Sequence, residues 1–354
     1  MANTLTNIMP KILARALMSL RTRCIMPRLV NADYGTEAAK KGTTIDVPVP
    51  VAVGTTVVAP SHILVGPTDL TPSVVQISLD KWYQNNPIGL TDKELVEIDA
   101  NEHFLPMQLE EAIKALASVV NQDILGKYKG QYRGVYGFIS SPSVGYSTII
   151  DPFGAGATDT GGVSAATGAK KVLNKQLCPR TDRRGILNFD AEAAALDLSA
   201  FSDAEKIMSA VVKMEGEIGR KFGIDFVADD DVLDHTCGTV QETTPTNLKV
   251  NTQTAVGNVA VVLKDSTNTE TLLRGDIIRF AADSTKQTYC VIGDASYTIL
   301  AAGTSVGVCP AIKGVYAAEG LVHVMSSHAV NMVFHRDAFA FATRPLLDVS
   351  QDYS

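Results

Sequence analysis

PMQLEEAIKALASVVNQDILGKYK, residues 106–129, is the stretch whose periodicity decides the fold. Within it Leu109, Ile113, Leu116, Val120 and Ile124 follow one another at steps of four, three, four and four. That is the apolar stripe of an amphipathic helix and not the alternation of a strand. Pro106 suits a first helical turn, where its missing N–H is not needed, and Glu110 and Glu111 lie near the positive end of the helix dipole. Lys127 and Lys129 sit at the other end, and Gly130 stops the element. With all 24 residues helical it spans about 36 Å, the width of a small domain, so a spine with sheets laid across it is expected. Burial of the five apolar side chains would contribute about 7 to 15 kcal/mol before conformational entropy is subtracted.

Around this spine the chain has 354 residues, which implies two or three domains. A composition of 45% hydrophobic and 19% charged residues is that of a soluble globular protein, and no apolar run approaches the roughly 20 residues that span a bilayer. Arginines interrupt the apolar start, so it does not read as a signal peptide, and cytosolic synthesis is expected. The five cysteines (Cys24, Cys178, Cys237, Cys290, Cys309) show no CxxC spacing, which argues against a zinc ribbon or a disulfide framework; they read as buried or inert thiols. A net charge of −7 argues against a dedicated nucleic-acid binder. The charge is uneven, however: residues 1–30 hold Lys11, Arg15, Arg21, Arg23 and Arg28 with no acid. Ile8 to Leu20 fits a short basic amphipathic helix, packed on its own or a neighbouring subunit, or touching membrane or nucleic acid.

Upstream of the spine, residues 43–58 turn β-branched and are broken by Pro48 and Pro50, a pattern that suits an edge strand and not a central one. A second β run, Ser73 to Leu79, follows a turn-rich segment, so residues 43–80 read as a two-stranded arm with too little around it to make a core. Such an arm needs a neighbouring subunit to cover it. Thr91 with Glu94 gives a capping box for a short helix. Downstream, residues 130–168 read as loops with short strands, Ser164 to Gln176 as a helix, Gly185 to Phe189 as a strand, and Ser202 as the cap of a helix running to Lys213 or beyond. Between Val232 and Val322 the runs NLKV, VAVVLK, GDIIRFA, TYCVIG, YTILA and TSVGVC predict a small antiparallel barrel or sandwich, inserted into mixed sequence on both sides.

The stretches that suggest chemistry fail on context. In Gly162–Lys171 no Ser or Thr follows the lysine, so a flexible loop is expected and not a phosphate loop. His335, Arg336 and Asp337 spell HRD, but without a glycine-rich loop, a DFG or the downstream Asn they read as a salt-bridged turn. Asp229, Asp230, Asp231 and Asp234 carry oxygens that suit a hard cation, but their spacing matches no known loop and a solvated linker is expected. No catalytic, cofactor-binding or metal residue is assigned, and the protein is not expected to be an enzyme.

The opening MANTLTNIMPKILARALMSLR (1–21), NADYGTEAAKKGTTIDVPVP (31–50), LEEAIKALASVVNQDIL (109–125) and above all SHAVNMVFHRDAFAFATRPL (327–346) carry a resemblance. The chain resembles the major capsid (coat) proteins of tailed double-stranded-DNA bacteriophages, in particular the short-tailed-phage coat type with an inserted β-barrel. The resemblance implies an α+β, HK-ninety-seven-like capsid fold. Its N-terminal arm would be 1–35, its extended loop 36–80 and its peripheral domain 81–150, with the spine helix at 106–129. An axial domain would follow at 151–231, an inserted antiparallel β-barrel at 232–322 and a return to the axial and peripheral domains at 323–354. In similar proteins the RPL segment is followed by further residues that return strands to the peripheral domain, whereas this sequence stops at Ser354.

What the resemblance implies about function is a structural subunit that assembles into hexamers and pentamers of an icosahedral shell around double-stranded DNA. Its location would be the virion, its partners other copies, a scaffolding protein, a portal and the packaged DNA held without sequence preference, with no cofactor and no membrane. The five basic residues Lys11, Arg15, Arg21, Arg23 and Arg28 are the expected assembly contacts, facing an acidic scaffolding partner or the DNA. Some capsids of this fold join subunits covalently through an extended-loop lysine. Here no lysine lies between Lys41 and Lys81, so non-covalent locking is expected. The alternatives are an encapsulin-like nanocompartment shell, and a hydrolase or carbohydrate-binding protein using the barrel.

Overall fold

The computed structural model describes residues 24–34, 44–49, 53–55, 73–79, 81–86, 107–129, 146–147, 152–153, 163–202, 218–241, 248–265, 269–285 and 287–343, with the single positions 91, 93 and 96. Its helices are α1 (Met26–Leu29), α2 (Met107–Leu125), α3 (Val163–Lys175), α4 (Phe189–Leu196) and α5 (Ser199–Ser202). The strands before the large sheet region are β1 (Thr44–Val49), β2 (Ser73–Ser78), β3 (Tyr146–Ser147), β4 (Arg183–Leu187), β5 (Gly219–Lys221), β6 (Ile224–Ala228) and β7 (Asp234–His235). Then come β8 (Lys249–Val250), β9 (Ala260–Lys264), β10 (Glu270–Leu273), β11 (Ile277–Phe280), β12 (Thr288–Ile292), β13 (Ser296–Ile299) and β14 (Thr304–Cys309). β15 (Val322–Met325), β16 (His328–Ala329) and β17 (Met332–His335) complete the set. The mixed α+β class is as expected. The N-terminal helix, the capping box at Glu94 and the continuation of a helix beyond Ser202 lie outside the described residues, as do Lys11, Arg15, Arg21 and Arg23.

The chain divides into two compact units, one drawn from Met1–Ala16, Pro27–Ala112 and Asp337–Ser354, the other from Leu17–Met26 and Ile113–Arg336. In the first, β1 and β2 form a two-stranded antiparallel ribbon with Thr44 opposite Ser78 and Val49 opposite Ser73. Of the HRD stretch, His335 ends β17, and Arg336 and Asp337 open a 3-10 turn, Arg336–Ala338, whose Asp337 carboxylate accepts from Asn31 Nδ2 at 3.0 Å. Asn31 also donates its N–H to Phe339 O at 3.1 Å and accepts from Phe341 N at 2.8 Å, tying Asn31 to residues 337–341.

α2 has 19 residues and is continued by a 3-10 turn at Gly126–Tyr128, so the spine is slightly shorter than the pattern predicts, about 28 Å of α-helix. Its buried face is also turned. Ile113, Ala117, Asn121, Ile124, Leu125 and Tyr128 are buried, whereas Leu116 and Val120 are only half-buried. The helix therefore faces inward along a line that includes a polar residue, Asn121, which apolar periodicity passes over, and the burial energy expected of the five-residue stripe is too high.

Within the second unit a four-stranded sheet has the order β17-β4-β6-β5, with β4 parallel to β6 and its other pairs antiparallel. α3 and α4 supply its core partners Ala165, Ala166, Ala191 and Ala195, packed with Phe153, Phe201 and Phe226, whose rings meet edge to face. The strand expected at Gly185 to Phe189 starts and ends two residues earlier, because Asn188 turns the chain into a helix: its side chain caps α4 by accepting from Ala191 N.

All six β runs predicted between Val232 and Val322 contain strands, and β10 is an additional one. β8, β9, β11, β12 and β14 join β3 and β15 in a seven-stranded sheet of order β3-β15-β11-β12-β14-β9-β8, while β10 and β13 form a separate pair. The expected closed barrel is not present as a continuous ladder among the described residues. β8 instead reaches the start of β15 through a single bridge, Lys249 to Leu321, with Val322 N donating to Leu248 O at 2.9 Å. Two-residue β8 is too short to carry a full ladder. The core of this region joins both sheets: Leu263, Leu272, Ile278, Phe280, Tyr289 and Val291 are fully or almost fully buried. The chain enters and leaves the region side by side, His328 pairing with His235 and Ala329 with Asp234 in the β7–β16 ladder.

Candidate functional site

The acidic run sits where the chain leaves β6, and it is not the solvated linker its composition suggests. Asp231 points its carboxylate at α2, accepting from Ser118 Oγ, from Asn121 Nδ2 at 3.0 Å and from Gln122 Nε2 at 3.2 Å. Asn121 completes the seam by accepting from Met26 N at 3.3 Å. Asp229 is buried, its N–H bonded to Leu187 O at 3.0 Å and its Oδ1 accepting from Asp231 N at 3.1 Å. Burial pushes the Asp229 carboxyl above its ordinary pKa, and the neighbouring Asp231 and Asp230 charges add to that against hydrogen bonds from their backbone.

Six residues further on, a second polar group holds the end of the spine turn. Tyr128 bonds His235 Nδ1 at 2.9 Å, and His235 Nε2 meets Asp276 Oδ1 at 2.8 Å. A carboxylate only accepts, so Nε2 carries the proton toward Asp276 and Nδ1 accepts from the Tyr128 hydroxyl in the neutral ring. Asp276 Oδ2 takes Leu273 N at 2.7 Å and Gly238 N at 3.2 Å, which satisfies a carboxylate that is fully buried. Gly238 packs against β10 so closely that a Cβ there would lie 2.1 Å from Thr271 O. Cys237 beside it has its thiol pushed far up by burial, then by the Asp276 charge, so it is a poor nucleophile.

With His235 at 2% and Asp276 at 0% exposure, this Tyr–His–Asp chain is closed to a substrate and serves as a clasp between the spine turn and the sheet. Among the described residues no group of three or more His, Cys, Asp and Glu side chains is placed to hold a metal ion, and no described helix is long and apolar enough to cross a membrane.

The β1–β2 ribbon is different in kind. In the β1–β2 ribbon Ile45, opposite Ile77, is buried at the root, but toward the tip Val47 faces Val75 and Pro48 faces Val74 with little cover. Val74 is 53% exposed and Val75 55%, so apolar side chains stand in water on an element that has two strands and open backbone edges among the described residues. Of the five expected basic contacts, Arg28 is the one described; it is exposed near the end of α1. Sequence reasoning anticipated the ribbon through its β-branched runs and alternate prolines. It missed the Asp231 seam and the Tyr128–His235–Asp276 clasp, for which only the buried polar positions on the spine line could have served as a signal.

No protein-family model matches the chain, and no curated protein matches it. Among solved structures it is similar to one titled "Mycobacterium phage Che8", with 16% identity, 85% of this chain and 90% of that chain covered, and a TM-score of 0.42. It is also similar to the capsid structure of the cyanophage P-SCSP1u (14% identity, 81% and 84% covered, TM-score 0.38). A third is the asymmetric unit of the bacteriophage PhiM1 mature capsid (9% identity, 82% and 83% covered, TM-score 0.33).

Proposed function

We propose that this chain is a structural shell subunit, the major capsid protein of a tailed phage, which assembles into hexamers and pentamers around double-stranded DNA. The observation that carries the reading is the β1–β2 ribbon: Val74 and Val75 are more than half exposed, and a ribbon of this kind is stable when another copy covers it. The four stretches of sequence resemblance, which run from residue 1 to residue 346, support the same reading. On this account the chain follows the HK-ninety-seven-like plan, with arm 1–35, extended loop 36–80, peripheral domain 81–150, axial domain 151–231, insertion 232–322 and return 323–354. The mechanism is geometric and not catalytic. The ribbon overlaps a neighbouring subunit, while the Asp231 seam and the His235 clasp fix how the inserted sheet leaves the spine. A scaffolding protein, a portal and the basic arm residues Lys11, Arg15, Arg21, Arg23 and Arg28 facing acidic partners complete the proposal.

Sedimentation of the expressed chain, followed by nuclease treatment and analysis of the particle contents, tests it. Closed particles protecting nucleic acid, when made with the neighbouring genes, are expected. Particles enclosing a cargo enzyme would favour the nanocompartment reading, and a soluble active monomer would overturn both.

A further inference from the structure

In the middle of the seven-stranded sheet the register sets Cys290 of β12 opposite Cys309 of β14. Tyr289, Val291, Val306 and Val308 belong to the core, so by alternation the two cysteines project together from the other face. Val291 donates to Asp276 O at 2.8 Å and accepts from Gly275 N at 3.0 Å, which turns its peptide groups toward β11 and those of Cys290 toward β14. Val308 N bonds Val259 O at 2.9 Å on β9, which turns Cys309 toward β12. The two cysteines are therefore a hydrogen-bonded antiparallel pair, with Cα atoms about 5.5 Å apart, inside the disulfide range of about 4.4–6.8 Å. Their Cβ atoms lie about 1 Å farther apart than a relaxed bridge prefers, so a bond between them is strained and easily reduced. Cys24, Cys178 and Cys237 lie in no strand.

We propose that Cys290 and Cys309 form a reversible thiol–disulfide site, closed by a small-molecule disulfide that reaches the half-buried Cys309 and resolved by the fully buried Cys290. Cys309, as thiolate, attacks one sulfur of the external disulfide and displaces one thiolate. Cys290 gives up its proton, attacks the Cys309 sulfur of the mixed disulfide and displaces the second. Two protein thiols lose two electrons and two protons, and the external disulfide is reduced to two thiols. The Cys309 thiol is pushed up by burial first and by Cys290 second, so closure is faster in alkaline than in neutral solution. The bridge staples two central strands, and it does not depend on the assembly reading.

The test uses the full chain, purified reduced and incubated with oxidised glutathione at mildly alkaline pH. Remaining thiols are then blocked with N-ethylmaleimide in denaturant and the chain is digested with trypsin. Both cysteines fall in one tryptic peptide, residues 287–313, because no Lys or Arg lies between Lys286 and Lys313. The expected product is this peptide without label and lighter by two hydrogens, recovering two labels after dithiothreitol. In Cys290→Ser, glutathione is expected to remain on Cys309. A wild-type peptide that carries two labels throughout, or glutathione with one label, would overturn the proposal. The wild-type readout stands whether or not the variant folds.

Discussion

Replacing Asn121 with alanine tests the reading of the spine most sharply, because that residue is 1% exposed and bonds in two directions. The Met26 N–H loses its acceptor in a buried position, which costs about 1–3 kcal/mol. Asp231 keeps Ser118 and Gln122 but loses its 3.0 Å amide donor, and a hydrogen bond to a charged group contributes about 1.5–3 kcal/mol. Together Asn121→Ala is expected to destabilise the subunit by about 3 kcal/mol or more. Gln122→Ala, which removes an exposed 3.2 Å contact to the same carboxylate, is expected to cost less than about 1 kcal/mol. Urea unfolding followed by far-UV circular dichroism is the suitable assay, since Trp82, the only tryptophan, is 75% exposed and a poor fluorescence probe. A double-mutant cycle with Asp231→Ala should give a coupling of about 1 kcal/mol or more. Equal small losses for Asn121→Ala and Gln122→Ala, or zero coupling, would refute the seam.

Gly238→Ala forces a Cβ to within 2.1 Å of Thr271 O, so backbone must move, and a loss above about 3 kcal/mol is expected by the same assay, against about 1 kcal/mol for Gly257→Ala, where only the positive φ of 94° opposes the change. For Asp283, burial raises the carboxyl, but hydrogen bonds from Thr285, Tyr316 and Gln287 outweigh it and hold the pKa below its ordinary value. That stabilisation is present above the unfolded carboxyl range near pH 4 and is lost as pH falls through the folded value, so the acid-side loss should be smaller in Asp283→Asn; parallel pH–stability curves would refute it. Residues 232–330, carried past 322 because β15 pairs with β11 and β16 with β7, leave out only the two-residue edge strand β3 and should give a dispersed amide spectrum when expressed alone, and a collapsed spectrum would contradict an independent insertion. With no lysine between Lys41 and Lys81, boiled particles should run as monomers in a denaturing gel, and a ladder of linked subunits would overturn non-covalent locking.

Much of this architecture was legible because it is periodic. The 3.6-residue stripe located α2, and the β-branched runs located β1, β2 and six strands of the sheet region. β10 escaped because its sequence, ETLL, opens on a glutamate, yet Glu270 is 5% exposed. α4 escaped because Phe189 continued an apparently β run; the cue to its true start was Asn188, a capping residue followed by acids at 190 and 192. The clasp was not legible at all. His235 is 107 residues from Tyr128 and 41 from Asp276, and no local rule relates a tyrosine, a histidine and an aspartate at such separations. Composition also misled at Asp229, Asp230, Asp231 and Asp234, because four close carboxylates look solvated until the spine supplies donors to Asp231 and burial raises Asp229.

The central claim is that the chain builds a shell in which the exposed ribbon is covered by another copy. Electron cryomicroscopy of purified particles tests it most directly. The account predicts closed icosahedral shells with rings of five and six subunits, and the exposed end of each ribbon, at Val74 on one face and Val75 on the other, covered by a neighbour. Discrete subunits whose ribbons remain in solvent, or shells in which the ribbon touches no other copy, would contradict it.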